Sequence, residues 1–299
     1  MKRQCPDSEC LSKNQDPKSG RVVRKGSYFR RSDGQRIQRY FCSSCRRSFS
    51  SATQFRCYRQ KKRKLNYPLA LLLSSGVSQR RAAKILRVNR KTVVRKFRFL
   101  AKEAQAEHEL WRETLFKAPL LSVQFDDLET IEHSKCKPLS VTLAVEPKSR
   151  KILGFQVSSM PAKGLLSKTA LKKYGPRKDD RGEGWNALFK SLRPIVSAQA
   201  EFLSDENPHY PRFLKRHFPK AIHQTVKGQR GCIAGQGELK KIGFDPLFSL
   251  NHTCAMLRAN INRLFRRTWC TSKTKAGLID HLWIYLKYHN HMLTPPCTI

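Results

Sequence analysis

Residues 123–130 read VQFDDLET, an apolar run that delivers two adjacent carboxylates, Asp126 and Asp127. A second run, AEFLSD at 200–205, ends in Asp205. Carboxylates brought together are oxygen donors for a hard divalent cation such as Mg2+ or Mn2+, and without a cation they repel. A different ligand set stands near the start of the chain. Cys5 and Cys10 are spaced C-x4-C, and Cys42 and Cys45 are spaced C-x2-C within RYFCSSCRRSF. Each pair can sit on one tight loop with both sulfurs aimed at the same point, and two such loops close a tetrahedral four-thiolate Zn2+ site. Four thiolates leave no open position, so the expected role of that metal is structural. Cys57 is an alternative ligand, because C-x4-C is the looser knuckle.

Both ligand sets belong to a chain of 299 residues with 60 Lys and Arg against 22 Asp and Glu, a formal net charge of +38. No fold requires such an imbalance; it speaks of a polyanionic partner, most commonly a nucleic-acid backbone. Residues 1–100 hold 28 Lys and Arg but only 4 Asp and Glu, so nearly all the acids lie downstream, where VQFDDLET sits. No stretch approaches the roughly 20 apolar residues needed to span a bilayer. The opening MKRQCPDSEC has no apolar signal-peptide core. The ten cysteines are therefore expected to be reduced. The expected location is the cytoplasm, in association with the nucleoid, with no membrane partner.

Three regions position these residues. Residues 1–60 are expected to form a small β-ribbon from the strand-like pieces RVVRKGSYFRR and RIQRYF, with so few apolar residues that a metal must hold it. Residues 61–115 read as three helices. Pro68 suits a first helical turn, Gly76 closes that helix, and Ser78 is expected to cap the second. The second helix places Ala82, Ala83, Ile85 and Leu86 inward. The third, from Arg90, places Val93, Val94, Phe97 and Leu100 at helical spacing. Two short helices, a tight turn at Val88-Asn89 and a strongly basic third helix read as a helix-turn-helix on double-stranded DNA. Arg80 and Arg81 lie on the outer face of the second helix, and Arg90, Lys91, Thr92, Arg95 and Lys96 are the expected recognition residues.

Residues 116–299 alternate. Strands are expected at 120–125, 139–145, 151–159, 200–205 and 221–226, the first three as an antiparallel meander. Helices are expected at about 163–173, at 184–195 and 209–218, and near 250–267 and 274–290. Three antiparallel strands followed by helix, strand, helix, strand and terminal helices is the order of an RNase H-like fold with a mixed five-stranded sheet. In that order the first and fourth strands are neighbours at the centre of the sheet, so Asp126 and Asp205 converge although they are 79 positions apart. A divalent pair of cations there serves phosphodiester chemistry.

The cysteine ribbon, GVSQRRAAKILRVNRKTV, VQFDDLET, FLSDENPHYPRFL and LRANINRLFRRTWCTSK together resemble an insertion-sequence transposase of the DDE class, over nearly the full chain. The resemblance implies a multidomain enzyme that binds the terminal inverted repeats of its element and joins them to target DNA with Mg2+, as a homo-oligomer on DNA. It assigns Asp126 to the first acid, at the end of strand one, and Asp205 to the second. The third is usually Glu on a late helix with a basic residue two turns on; SLNHTCAMLR offers Asn251 there, with Arg258 seven residues later. Asn keeps an oxygen ligand and removes a charge. Glu238 and Asp245 are alternative third acids. Asp127 is expected on the opposite strand face as a supporting residue, with a direct metal role as the alternative. Asp179 and Asp180 read as a solvated loop, His209 and His223 have no ligand spacing, His252 reads as structural or phosphate-contacting, and Trp269-Cys270 is expected to pack. The run RLFRRT is expected on the DNA backbone. A DNA-binding regulator that has lost catalysis is the alternative function, and a nuclease without strand transfer is a third.

Overall fold

The structure is a computed structural model and describes residues 4–10, 22–227, 245–265 and 268–293. The chain divides into two compact units, Met1–Pro68 and Leu69–Ile299.

The first unit is a three-stranded antiparallel sheet, β1 (Val22–Arg30), β2 (Gln35–Cys42) and β3 (Ser48–Ser50), in that order. Gly26 adopts φ 67° inside a β-bulge between Arg24 and Ser27, a conformation that favours glycine. The buried apolar side chains here are Ile37, Phe49, Ala52 and the cysteines Cys5, Cys10 and Cys42. Phe49 and Tyr40 stack beside the cysteines. So small a core cannot hold a sheet by hydrophobic burial alone.

The second unit takes in most of α1 (Asn66–Leu73), then α2 (Gln79–Ile85) and α3 (Arg90–Thr114). The capping chemistry works as the sequence suggests: Ser78 Oγ accepts from Arg81 N–H and Asn89 Oδ1 accepts from Lys91 N–H. Two details differ. Ile85 is 54% exposed, not inward. The third helix runs on to Thr114, because Val93, Phe97, Ala101, Ala104, His108 and Arg112 form one continuous buried stripe. Leu69, Leu73, Ala82, Ala83, Val93, Phe97 and Ala101 share a core with Ile284 of a C-terminal helix. Further along α3, His108 Nε2 bonds Leu153 O (3.1 Å) and the Arg112 guanidinium donates to Ser191 O. The helical segment and the α/β segment are therefore one compact unit, with no division at 115/116.

The α/β part comprises β4 (Leu120–Glu132), β5 (Ser134–Val145), β6 (Ile152–Ser159), α4 (Leu166–Tyr174), α5 (Arg181–Leu192), β7 (Val196–Asp205), α6 (Tyr210–His217), β8 (Ile222–Val226), α7 (Phe248–Asn260) and α8 (Lys275–Tyr288). The five strands form one mixed sheet in the order β6-β5-β4-β7-β8; β4 to β6 are antiparallel, and β7 runs parallel to both β4 and β8. Strand alternation sorts the sheet's two faces. Val123, Phe125 and Phe202 point to α5 and α6, where Trp185, Leu188, Phe189 and Tyr210 wait. Leu128, Leu139, Val141 and Leu143 point to α7 and α8, against Leu250, Leu257, Leu282 and Tyr285.

β4 extends seven residues past its apolar run. Residues 126–132 keep pairing with β5, from Asp126 opposite Leu143 to Glu132 opposite Ser134, and the chain reverses at His133 with φ 61°. Asp126 and Asp127 thus lie inside a strand and do not end it. What stops beside them is the pairing with β7, whose last partners are Gln124 and Leu203.

Candidate functional site

The four cysteines meet at one point of the first unit. Cys5 Sγ lies 3.5 Å from Cys45 Sγ, Cys10 Sγ lies 3.6 Å from Cys42 Sγ, and all four sulfurs lie within 4.8 Å of one another. Tetrahedral Zn–S bonds of about 2.3 Å place sulfurs about 3.8 Å apart, so the set fits a structural Zn2+ and is far too wide for disulfides. Burial pushes the Cys5 thiol up to about 12, and a dication bound there would stabilise its thiolate. Cys57 is not among them, and C-x4-C serves as the first knuckle.

The carboxylates meet by topology. Continuing the β4–β7 register two residues past Gln124 and Leu203 sets Asp126 beside Asp205. Even-numbered residues of β4 face α7 and α8, so Asp126 shares that face with Gln124, while Asp127 points the other way. Burial, and then the Asp205 charge, push Asp126 up to about 7. It accepts from its neighbour's N–H (Asp127, 2.6 Å) and from the Tyr210 hydroxyl (3.2 Å). Asp205 Oδ1 accepts from Asn207 N–H (3.2 Å). Asp127 is held by the Thr142 hydroxyl and by Trp185 Nε1–H at 3.0 and 3.2 Å, which leaves it a structural acceptor beneath the sheet.

Helix α7 crosses the Asp126 face. Gln124, 5% exposed and two residues before Asp126, ties the helix to the strand. Its Nε2 donates to Pro246 O (2.7 Å) and its Oε1 accepts from Leu250 N–H (3.0 Å). Asn251 is the next residue. Its Nδ2 donates to Asp245 Oδ2 (2.9 Å), and Asp245 Oδ1 accepts from Leu247 N–H (2.9 Å). Asp245 thus orients Asn251 and holds the turn that leads into the helix. One turn after Asn251, burial and then the Asp126 charge push the Cys254 thiol up to about 12, while Arg258 acts in the opposite sense. The Asp126 charge felt at Cys254 sets this turn of α7 beside Asp126, and Asn251 and Arg258 lie at helical spacing from Cys254. Sequence reasoning passed over Gln124 and Cys254: neither has a motif, and only the packing of α7 on the sheet reveals them.

No protein-family model matches this chain, and no curated protein matches it.

The chemistry must come from the residues themselves. Two carboxylates on adjacent strands, at the unfavourable closeness that raises Asp126, are oxygen donors of the kind a hard divalent cation takes. Among the described residues the four cysteines are the only group of three or more Cys, His, Asp or Glu close enough to share a metal ion. Asp126, Asp205 and Asp245 do not form such a group, and Glu238 lies outside the described residues.

On α2 and α3, Arg80, Arg81, Arg90, Lys91 and Arg95 are exposed and Thr92 is half-buried. Lys96 is a correction: it is 4% exposed, because it falls on the Val93–Phe97 side of α3. Of RLFRRT, Arg263 sets its guanidinium over the Phe97 ring at 5.6 Å, and Arg266 and Arg267 lie outside the described residues. Trp269 is 81% exposed and does not pack. Asp179 is gripped by Arg181 at 2.6 to 3.2 Å, His209 stacks on Trp185, His223 Nε2 bonds Ser204 Oγ at 2.9 Å, and His252 tilts against Phe248.

Among the described residues no helix is long and apolar enough to cross a membrane.

Proposed function

We propose that the chain is a DNA transposase that binds the ends of its own element and cuts and transfers DNA strands at Asp126 and Asp205. The observation that carries this reading is the placement of those two carboxylates side by side on the central neighbouring strands β4 and β7. The strand order β6-β5-β4-β7-β8, with three antiparallel strands followed by two parallel ones, supports an RNase H-like catalytic domain. The net charge of +38 and the exposed arginines of α2 and α3 support double-stranded DNA as the partner.

In this reading Asp126 and Asp205 hold a divalent cation, Mg2+ or Mn2+, with the Asn251 carboxamide oxygen as third donor. When bound, such an ion lowers the barrier to in-line attack on a phosphodiester by water or a 3′-hydroxyl. The residues of this chain do the rest. Tyr210 fixes the rotamer of Asp126, Asp245 turns the Asn251 amide so that its oxygen is left over, and Arg258, on the same face of α7, steadies a phosphate. Cys5, Cys10, Cys42 and Cys45 hold Zn2+ and organise the N-terminal unit for DNA. A homo-oligomer on DNA follows from joining two ends, and nucleoid association follows from the charge.

A second reading, a regulator that binds the ends without cutting, is favoured by one observation: the third donor is neutral. Purified protein with Mg2+ or Mn2+ and labelled DNA from beside its gene separates the two. Cleavage by wild type, lost in Asn251→Ala, supports the enzyme. Binding without cleavage, with Asn251→Glu restoring cleavage, supports the regulator. Binding with no cleavage by any variant contradicts the mechanism.

A further inference from the structure

We infer that Gln124 is a positioning residue: its side-chain amide clamps the start of α7 to the strand that carries Asp126 and so sets the Asn251 oxygen against the carboxylate pair. The inference rests on reading Asp126 and Asp205 as a cation site.

Three observations support it. First, α7 has no cap of its own. Leu247 stands at the N-cap position and supplies no side-chain acceptor, so the first N–H groups of the helix need partners from elsewhere. Gln124 Oε1 takes one of them, Leu250 N–H. Second, the same amide donates to Pro246 O, so both of its ends are used, one on each side of the N-cap. Only a group with a donor and an acceptor at fixed spacing can do this, which glutamine has and glutamate, leucine and methionine lack. Third, the clamp acts next to the site at both ends. Gln124 precedes Asp126 by two residues on the same strand face, and Leu250 immediately precedes Asn251. A helix that slips along the sheet moves Asn251 relative to Asp126, and this buried amide opposes that slip. Asp245 completes the arrangement by fixing the Asn251 amide to the same helix start.

A buried polar side chain in a β-strand is ordinarily a liability, since it must be desolvated. Its neighbours in β4 on the α7 side show what packing alone would place there: Leu128 lies in the apolar core between sheet and helix. A glutamine in that layer, satisfied at both ends by one helix turn, buries its amide in return for alignment.

The test is Mn2+ binding by the full chain without DNA, read from the electron-spin signal of free Mn2+. Gln124→Met keeps the volume and removes both bonds. It is expected to weaken Mn2+ binding by about tenfold or more, as loss of outer-shell support does elsewhere. Asn251→Ala is expected to weaken it similarly. The double variant is expected to be no weaker than Asn251→Ala alone, because Gln124 acts through Asn251. Hydrogen exchange at the Leu250 amide reads the clamp with no metal present and is expected to quicken in Gln124→Met. Additive effects in the double variant, or a Gln124→Met protein with wild-type Mn2+ affinity, overturn the inference and leave the cation site standing. Equal Mn2+ binding by wild type, Asp126→Ala and Asp205→Ala overturns the cation site itself; an unchanged Leu250 exchange rate overturns the clamp independently.

Discussion

The two ligand sets are assembled in opposite ways. The cysteines come from two short-range pairs, C-x4-C and C-x2-C, and the sheet around them has almost no apolar core. The carboxylates come from strands 79 positions apart, on a sheet packed on both faces by large apolar clusters. In the first unit the ligands hold the fold. In the second the fold holds the ligands, and at a cost, since burial and the Asp205 charge raise Asp126 to about 7. Metal is thus expected to be a folding partner in one unit and a purely functional one in the other.

The largest effect that could break this contrast is removal of zinc. A strong chelator, or Cys42→Ser, is expected to unfold the first unit outright, since structural zinc contributes roughly 10 kcal/mol or more in small metal-held domains. All four tryptophans, Trp111, Trp185, Trp269 and Trp283, lie in the second unit. Their fluorescence melt is expected to stay unchanged while the tyrosine signals of the first unit collapse. A joint collapse would show that the second unit also depends on the cysteines.

Next in size is the strain at the acids. Asp126 titrates higher in the folded chain than its ordinary value of 3.8, so it favours folding at low pH and ceases to do so as pH rises toward about 7. Without divalent metal, wild type is expected to lose about 1.4 kcal/mol per pH unit across that window relative to Asp126→Asn, measured as the difference between their denaturant midpoints. Parallel midpoints would mean that the acids are not crowded. The buried histidines carry the opposite sign. Burial lowers His108 and His281 to about 4, so the stability tied to their neutral rings is present above the ordinary 6.5 and is lost as pH falls toward 4. His281→Gln is expected to flatten the acid limb of the tryptophan melt, and an unchanged limb would count against that burial.

The smallest effects concern DNA. Arg95→Ala is expected to weaken binding several-fold and to lower the salt slope by about one. Lys96→Met is expected to leave affinity and slope alone, because Lys96 is buried; equal losses in the two variants, followed by fluorescence anisotropy at several salt concentrations, would place Lys96 on the surface.

How far the sequence could be read follows the same division. The cysteine site was legible from spacing, because both knuckles are local. The five strands and their order were legible from apolar runs and turns, and through that order so was the pairing of Asp126 with Asp205. The length of β4 was not. Residues 126–132 carry four carboxylates and lie beyond the apolar run, and only pairing with β5 makes them strand. Lys96 and Ile85 were misplaced because helical facing within a tight three-helix unit depends on crossing geometry that periodicity does not contain. Gln124 was invisible for a plainer reason: its two partners lie on residues 246 and 250, more than 120 positions away.

The central claim is that Asp126 and Asp205 act together on DNA, and strand cleavage tests it most directly. Labelled element ends with Mg2+ would be offered to wild type, Asp126→Ala, Asp205→Ala and Glu129→Ala, the last an exposed acid of the same strand that forms a salt bridge with Lys163. The account predicts that both aspartate variants still bind the ends but cut about a thousandfold more slowly or worse, while Glu129→Ala cuts like wild type. Cleavage that survives either aspartate substitution would contradict it.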